Sequence, residues 1–243
     1  MKTAIITGAS NGIGKQIARL LAHNDYNIVI NYNTDSQSAQ SLAQELTAKG
    51  LSAVTCQADV SNIDDVARLV NFTIQQFGKI DLLVNNAGIC KTGLLIDLSS
   101  NDIQSLISTN LIGTIYTTQA VARHMLSNQD GVIINISSIW GEIGGSCESV
   151  YSASKGGIIS FSKALAKELG YNHIRVNCIT PGIVDTKMND NLSKQDLTDI
   201  VEDIPCGRIG KPDDIAQAVL WLASDNASYI NGQVLSINGG WHC

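Results

Sequence analysis

Three side chains in the middle of the chain, Ser138, Tyr151 and Lys155, have the chemistry to reduce a carbonyl group. Tyr151 and Lys155 are four positions apart in an apolar pattern that predicts a long helix, so they share one helix face. Ser138 follows the apolar run 132–136, a predicted buried strand, and open α/β sheets bind ligands at strand carboxyl ends. We expect Lys155 to lower the phenol pKa toward neutrality, Tyr151 to protonate the carbonyl oxygen, and Ser138 to hydrogen-bond it.

A Tyr-x-x-x-Lys spacing alone is common on helices, where the tyrosine is more often a surface residue, so other elements must support this interpretation. Residues 4–6 predict a short buried strand, and a glycine-rich turn and a helix follow it at once. Such a turn lets the backbone approach a pyrophosphate held at the start of the helix. The predicted dinucleotide-binding residues of this turn are Gly8, Ser10, Asn11, Gly12, Ile13 and Gly14.

The end of the second predicted strand, residues 27–31, indicates which nicotinamide cofactor binds. An acidic residue there would hydrogen-bond the ribose 2′-hydroxyl and repel a 2′-phosphate. The chain has Asn31 and Asn33 at this place, and no carboxylate before Asp35. This favours NADP(H) over NAD(H), with both asparagines at the cofactor, although no arginine at position 11 or directly after the strand is present to hold the phosphate.

Two further segments predict parts of the site. Asn110 lies in the middle of a predicted helical stretch, 101–128, where asparagine is unfavourable. It is either a kink satisfied by water or the anchor of a proton relay. Residues 185–211 are polar and follow a strand end, which predicts a movable lid over the crevice, or else an ordinary surface excursion.

Composition limits the function classes. The 243 residues carry a net charge of −6 without a lysine or arginine cluster, so nucleic acid is not an expected partner. No apolar run has membrane-spanning length and no signal peptide is evident, which predicts a cytoplasmic protein without a membrane partner. The six cysteines show no Cys-x-x-Cys spacing, which predicts reduced thiols, and no metal site is predicted.

Strands and helices alternate from residue 1 to residue 243 without a linker or a repeat. This pattern predicts one α/β domain, a doubly wound Rossmann fold in which helices cover both faces of a seven-stranded, largely parallel sheet.

Together these motifs resemble the short-chain dehydrogenase/reductase family over nearly the whole chain. The resemblance implies an active enzyme whose asparagine positions a water on the proton relay of the lysine; the implied catalytic tetrad is Asn110, Ser138, Tyr151 and Lys155. It also implies further cofactor contacts, at the adenine, the ribose and the nicotinamide; these residues are Asp59, Val60, Asn86, Ala87, Gly88, Pro181, Gly182, Val184 and Thr186.

Within the family, the chain is most similar to 3-oxoacyl-[acyl-carrier-protein] reductases, which implies NADPH, a role in fatty-acid synthesis and a homotetramer. Two features depart from that group. Segments 127–130 and 171–173 lack the basic residues that would attract an acidic carrier protein. Residues 139–141 and 145–148 instead resemble a subgroup that reduces a 5-aminopentanone group on a lysine of elongation factor P. There Glu148 would attract the substrate amine, or it is solvated surface.

Three hypotheses follow. The first is an NADPH-dependent carbonyl reductase, acting on 3-oxoacyl thioesters or on the protein-borne aminoketone. The second is an NAD-linked alcohol dehydrogenase, which the missing carboxylate at Asn31 disfavours. The third is a non-catalytic dinucleotide-binding regulator, which the presence of both Tyr151 and Lys155 disfavours.

Overall fold

The computed structural model describes residues 1–190 and 192–242 and contains, within them, seven strands in one parallel sheet. Asn191, inside the predicted lid, and Cys243, the last cysteine, lie outside the described residues. The strands are β1 (Lys2–Ile6), β2 (Tyr26–Tyr32), β3 (Ala53–Gln57), β4 (Leu82–Asn85), β5 (Gly131–Ile136), β6 (Ile174–Pro181) and β7 (Val234–Ile237). Their spatial order is β3-β2-β1-β4-β5-β6-β7, and all of these pairs are parallel.

Helices connect the strands and cover both faces of the sheet. They are α1 (Gly12–Ala22), α2 (Ser36–Ala48), α3 (Ile63–Phe77), α4 (Ser100–Ile107), α5 (Gly113–Asn128), α6 (Trp140–Ile143), α7 (Ser149–Leu169), α8 (Lys194–Glu202) and α9 (Pro212–Ala223). The predicted doubly wound α/β fold is therefore confirmed. Among the described helices, none is long and apolar enough to cross a membrane.

Alternate residues of each strand face the two helical layers. On β1, Ala4 and Ile6 pack in a core with Ile17 of α1, whereas Ile5 packs in the opposite core with Leu83. Both faces of a parallel sheet are buried, which explains why its strands are continuous apolar runs.

The chain reverses its direction of winding at β1, which lies between β2 and β4. The loops that leave the carboxyl ends of β1 and β4 consequently diverge and leave a crevice, the usual ligand site of open α/β sheets. The glycine-rich turn lies on one side of this crevice, and residues 86–88 lie on the other.

The expected single helical stretch 101–128 is interrupted by a π-helical turn, Ser108–Ile112, between α4 and α5. Helical periodicity did not predict this turn. Asn110 lies in it and is fully buried, with its amide bonded to the backbone of Ile89. A π turn inserts one extra residue into a helix, and such turns are frequent at functional sites.

The predicted lid, 185–211, leaves the sheet after β6, and its two ends meet at its base. A bridge pairs Val184 with Gly210 at its base, and Asp185 donates a backbone hydrogen bond of 2.9 Å to Gly210. The segment contains a 3₁₀ turn, Lys187–Asn189, and the exposed α8. Its movement over the crevice stays a prediction.

Candidate active site

Tyr151 and Lys155 lie on one face of α7, as their spacing predicts. Both side chains are buried, and the Lys155 ammonium nitrogen Nζ lies 5.7 Å from the centroid of the Tyr151 ring. Tyr151 is in the first turn of α7, which begins at Ser149, so its hydroxyl is presented at the crevice end of the helix.

Ser138 reaches the same place from the carboxyl end of β5. Its hydroxyl accepts a 3.2 Å hydrogen bond from the Trp140 backbone N–H and shares a hydrogen bond with the Tyr151 phenol. The structure therefore brings together Ser138, Tyr151 and Lys155, which are separated by up to 17 positions in the sequence.

The pKa of Tyr151 differs from the expectation. Burial raises the pKa of the phenol above its ordinary value, the nearby Cys90 and Glu148 raise it further, and only the hydrogen bond from Ser138 lowers it. The expected lowering of the tyrosine pKa by Lys155 is thus wrong for this structure. A phenol that keeps its proton at neutral pH remains suited to donate one to a carbonyl oxygen.

Lys155 is not among the groups that shift the Tyr151 pKa, although its ammonium is still mostly charged at neutral pH. Burial lowers the pKa of this lysine to about 8. Its Nζ donates a 2.9 Å hydrogen bond to the Ile136 carbonyl, and its own carbonyl accepts one of 2.7 Å from Ser137. Lys155 is consequently held against β5 from both its backbone and its side chain.

Gly141, whose importance the sequence did not reveal, makes this close packing possible. A Cβ at Gly141 would stand 2.7 Å from the backbone carbon of Lys155 and 2.9 Å from the Ser137 hydroxyl oxygen. Any larger residue would therefore push α6 away from α7 at the level of the lysine.

Asn110 lies next to the site, where its side chain hydrogen-bonds the backbone of Ile89. Its Oδ1 accepts from Ile89 N–H at 2.8 Å, and its Nδ2 donates to the Ile89 carbonyl and to the Ser154 hydroxyl. A Cβ on Gly88 would lie 3.3 Å from Asn110 Oδ1 and 3.4 Å from Lys155 Nζ, so Gly88 separates the two side chains. The helix is interrupted at Asn110 by the π turn, whose asparagine is satisfied by protein groups, and the role in a proton relay stays a prediction.

The glycine-rich turn is built to hold a phosphate group. Gly8 and Gly12 have φ angles of +60° and +53°, which side chains rarely adopt, and a Cβ on Gly8 would stand 2.9 Å from the Ala87 Cα. Asn11 precedes α1 without capping it through its side chain, so the first N–H groups of the helix stay open to an anion. These residues fit the pyrophosphate of a dinucleotide.

Thr7 and Asn86 lock this turn to the end of β4. The Thr7 hydroxyl accepts hydrogen bonds from the backbone N–H groups of Asn86 (2.9 Å) and Ala87 (3.0 Å). The Asn86 amide donates in return to the carbonyls of Thr7 and Gly8. Thr7 was not predicted as a site residue, although its position directly before Gly8 could have indicated it.

Asn31 supports the turn from inside the protein. It is buried beneath the turn, where its Oδ1 accepts from Gly8 N–H at 3.3 Å and its Nδ2 donates to the carbonyls of Cys56 and Ala58. Both ends of the amide are thus engaged inside the protein, and a contact of Asn31 with the cofactor stays a prediction. Asn33, two residues on, is exposed at the rim of the crevice.

The remaining predicted cofactor residues lie around the same crevice. Asp59 follows β3, where its carboxylate accepts hydrogen bonds from Ser61, and the adjacent Val60 is buried against Gly113. Gly182 packs against Asn238 after the end of β6, following Pro181. The lid residue Thr186 lies over the turn, 3.4 Å from an ideal Cβ on Gly12, and Val184 is buried at the base of the lid. Their contacts with a cofactor stay predictions.

Cys90, Thr92 and Glu148 form a wall beside Tyr151 that sequence reasoning identified only in part. The Thr92 hydroxyl donates to Glu148 at 3.3 Å, and burial together with Glu148 raises the pKa of the Cys90 thiol to about 12. Trp140 packs in the same cluster as Tyr151 and Cys90, and its ring lies 5.3 Å from that of Trp241. Neither the thiol nor Trp241 had been singled out as part of the site.

Sequence comparisons find similar proteins over nearly the whole chain. A family profile described as enoyl-(acyl carrier protein) reductase matches residues 8–242. The chain is 43% identical over 243 residues to the uncharacterized oxidoreductase YmfI of Bacillus subtilis (strain 168), which covers 100% of this chain and 99% of that protein.

The chain belongs to the short-chain dehydrogenase/reductase family. Relatives named 3-oxoacyl-[acyl-carrier-protein] reductase FabG are also similar. The one from Chlamydia muridarum (strain MoPn / Nigg) is 46% identical over 241 residues, 98% of this chain and 96% of that protein. The one from Staphylococcus aureus (strain Mu50 / ATCC 700699) is 39% identical over 241 residues, 99% of this chain and 98% of that protein.

As a member of the short-chain dehydrogenase/reductase family, the protein is an oxidoreductase that uses a nicotinamide dinucleotide. When bound, this cofactor supplies or accepts a hydride. Orientation of the substrate carbonyl by the Ser138 hydroxyl and proton donation from the Tyr151 hydroxyl stay predictions that this geometry allows.

Proposed function

We propose that the protein is an NADP(H)-dependent ketone reductase of the 3-oxoacyl-[acyl-carrier-protein] reductase type, active in fatty-acid synthesis in the cytoplasm. The observation that carries the proposal is the buried Tyr151 phenol, hydrogen-bonded to Ser138 with Lys155 next to it, at the mouth of the dinucleotide crevice. The likeness to FabG proteins at 39–46% identity supports the substrate class.

In this proposal the ketone oxygen lies between the hydroxyls of Ser138 and Tyr151. The carbonyl carbon receives the hydride, the carbonyl oxygen takes the proton of Tyr151, and the product is an alcohol. The tyrosinate is then reprotonated from Lys155, whose pKa of about 8 makes it a ready proton donor near neutral pH.

The preference for NADP(H) rests on the end of β2. Neither Tyr32 nor the exposed Asn33 carries the charge that would repel a 2′-phosphate. The first carboxylate, Asp35, accepts a 3.1 Å hydrogen bond from the Ser38 N–H and caps α2, so part of its hydrogen-bonding capacity is used within the protein.

The decisive experiment follows the absorbance of NADPH with a short 3-oxoacyl thioester, with NADH as the cofactor control. Rapid oxidation of NADPH that depends on the thioester, with much slower oxidation of NADH, is the expected result. Binding of NADPH without turnover of any ketone would instead support the non-catalytic regulator, and equal use of NADH would contradict the NADP(H) assignment.

A second candidate, reduction of the 5-aminopentanone group on a lysine of elongation factor P, is favoured by Glu148. This half-buried carboxylate lies close enough to Tyr151 to raise the pKa of the phenol. It would attract a substrate ammonium and repel the phosphate of a phosphopantetheine arm. The basic residues expected for carrier-protein docking are absent from 127–130 and 171–173, which supports the same candidate.

Glu148→Gln separates the two candidates. For an aminoketone reductase, the substitution should raise the KM of a cationic aminoketone at least several-fold and leave that of a neutral ketone nearly unchanged. Glu168→Gln, an exposed position on α7, is the matched control. An improved KM for a 3-oxoacyl-phosphopantetheine substrate, without an effect on the aminoketone, would favour the acyl reductase.

We also propose a homotetramer, by likeness to the reductases of this family. The segment 94–96 supports it, because its three apolar side chains, Leu94, Leu95 and Ile96, are 54%, 57% and 87% exposed in one chain. Light scattering on the purified protein should give about four times the mass of 25.9 kDa; a monomer would contradict the proposal.

A further inference from the structure

A cavity of about 330 Å³ lies between the glycine-rich turn and the lid. It is separate from the catalytic groups and opens where α1 and α2 both begin. Residues of the turn, of the first turns of both helices and of the lid form its walls, among them Asn11, Gly12, Lys15, Ser38, Thr186 and Lys187. In a Rossmann fold the adenosine ribose lies at the end of β2, so this cavity is the place for a 2′-substituent.

Negative groups of the protein border the same cavity. Asp185 is in its wall, and Asp35 adjoins it through hydrogen bonds with Ser38 and the side chain of Asn11. A phosphate with nearly two negative charges would be repelled by both carboxylates unless a cation lies beside them. The residues at positions 11 and 32–33 do not supply one.

Three basic side chains line the cavity, and their surroundings differ. Arg19 is already paired with Glu45. Among the residues that the structure describes, neither Lys15 nor Lys187 makes an ion pair within 4.0 Å. Of these two, Lys187 is the one close enough to Asp35 to lower the pKa of that carboxyl.

We propose that Lys187, on the lid, is the residue that selects NADP(H) by binding the 2′-phosphate. It thereby supplies from the lid the cation that the end of β2 lacks. This inference rests on the proposed use of NADP(H). The adjacent Thr186 already lies over Gly12, so the backbone that carries Lys187 needs no large movement to reach the cavity.

The test measures dissociation constants by calorimetry, without any turnover, for NADP⁺, NAD⁺ and the fragments adenosine 2′-monophosphate and adenosine 5′-monophosphate. Lys187→Met should weaken NADP⁺ and the 2′-monophosphate about five- to tenfold and leave the other two within twofold. Lys187→Arg should restore most of the affinity for NADP⁺. Lys194→Met, an exposed lid lysine outside the cavity, is the matched control and should change nothing.

Raising the salt concentration should weaken NADP⁺ binding more in the wild type than in Lys187→Met, because one ionic contact is screened. Equal loss for NADP⁺ and NAD⁺, no loss at all, or loss only in Lys15→Met would overturn the inference while NADP(H) dependence stands. If the wild-type protein itself binds NAD⁺ as tightly as NADP⁺, both the inference and the proposed cofactor fail.

Discussion

The amide nitrogen of Asn86 lies 2.5 Å from the position that a Cβ on Gly14 would occupy. The same Cβ would be 2.6 Å from the Gly8 carbonyl oxygen, which accepts a hydrogen bond from that amide. Gly14 therefore allows the start of α1 to contact both the turn after β1 and the residues after β4. Gly14 is thus one of the points, with Thr7 and Gly8, at which the two sides of the dinucleotide crevice are held together.

Gly14→Ala should accordingly lose cofactor binding and stability together. The methyl group must displace the Asn86 amide or the turn, and overpacking of this kind costs about 1–3 kcal/mol in the free energy of unfolding. Urea denaturation and calorimetry with NADP⁺ would measure the two effects. Gly93→Ala is the control, because its Cβ would meet only Leu98, at an ordinary 3.7 Å. If Gly14→Ala changed stability and NADP⁺ binding as little as Gly93→Ala, the packing argument would be contradicted.

Asn31→Asp should destabilise the protein without creating a preference for NAD⁺. One carboxylate oxygen would replace the amide nitrogen that donates to the carbonyls of Cys56 and Ala58, which leaves a buried charge facing two acceptors. We expect a loss of roughly 2–4 kcal/mol in the free energy of unfolding.

The paired variant Asn33→Asp places the same charge at an exposed position. It should leave the free energy of unfolding within about 0.5 kcal/mol and weaken NADP⁺ by repulsion of the 2′-phosphate. A stable Asn31→Asp protein with tighter NAD⁺ binding would contradict this expectation and support a direct contact of residue 31 with the cofactor.

Tyr151→Phe should reduce kcat at least a thousandfold, since it removes the hydroxyl proposed to give the proton while Ser138 and Lys155 stay in position. The ring remains in its buried site, so the free energy of unfolding should change by about 1 kcal/mol or less. Stopped-flow kinetics and cofactor titration would separate turnover from binding. Turnover close to that of the wild type would contradict the assignment of Tyr151 as the general acid.

Lys155→Met should make the protein inactive but more stable at neutral pH. Burial lowers the lysine pKa from 10.5 to about 8, so below pH 8 the folded state carries a disfavoured charge. Between pH 8 and 10.5 the unfolded chain binds the proton that the folded chain has lost, and wild-type stability therefore rises with pH. The charge costs up to about 3 kcal/mol at pH 7, partly offset by the hydrogen bond to Ile136.

Urea denaturation at pH 7 and pH 10 would measure this effect. The variant should exceed the wild type by about 1–3 kcal/mol at pH 7, and the gap should close as the pH rises. Lys163→Met, at an exposed position of the same helix, should show no such pH-dependent gap. A variant less stable than the wild type at pH 7 would show that the lysine is net stabilising.

Local sequence patterns predict much of this architecture. Short continuous apolar runs and apolar residues at helical spacing predicted the alternating strands and helices. The i, i+4 spacing placed Tyr151 and Lys155 together because a helix brings such residues to one face whatever surrounds it. Helix capping is equally local: the Asn62 side chain, directly before α3, accepts hydrogen bonds from the N–H groups of Asp64 and Asp65.

Tertiary structure alone decided the features that depend on residues far apart in the chain. Asn31 faces inward because Gly8 and Ala58, 23 and 27 positions away, offer partners for its amide. The π turn at Asn110 accompanies hydrogen bonds to Ile89 and Ser154, which no periodicity can anticipate. The raised pKa of Tyr151 follows from burial, a property of the packed molecule. Sequence thus determined the fold and the proposed trio of Ser138, Tyr151 and Lys155, whereas packing determined which polar groups remain free to meet a ligand.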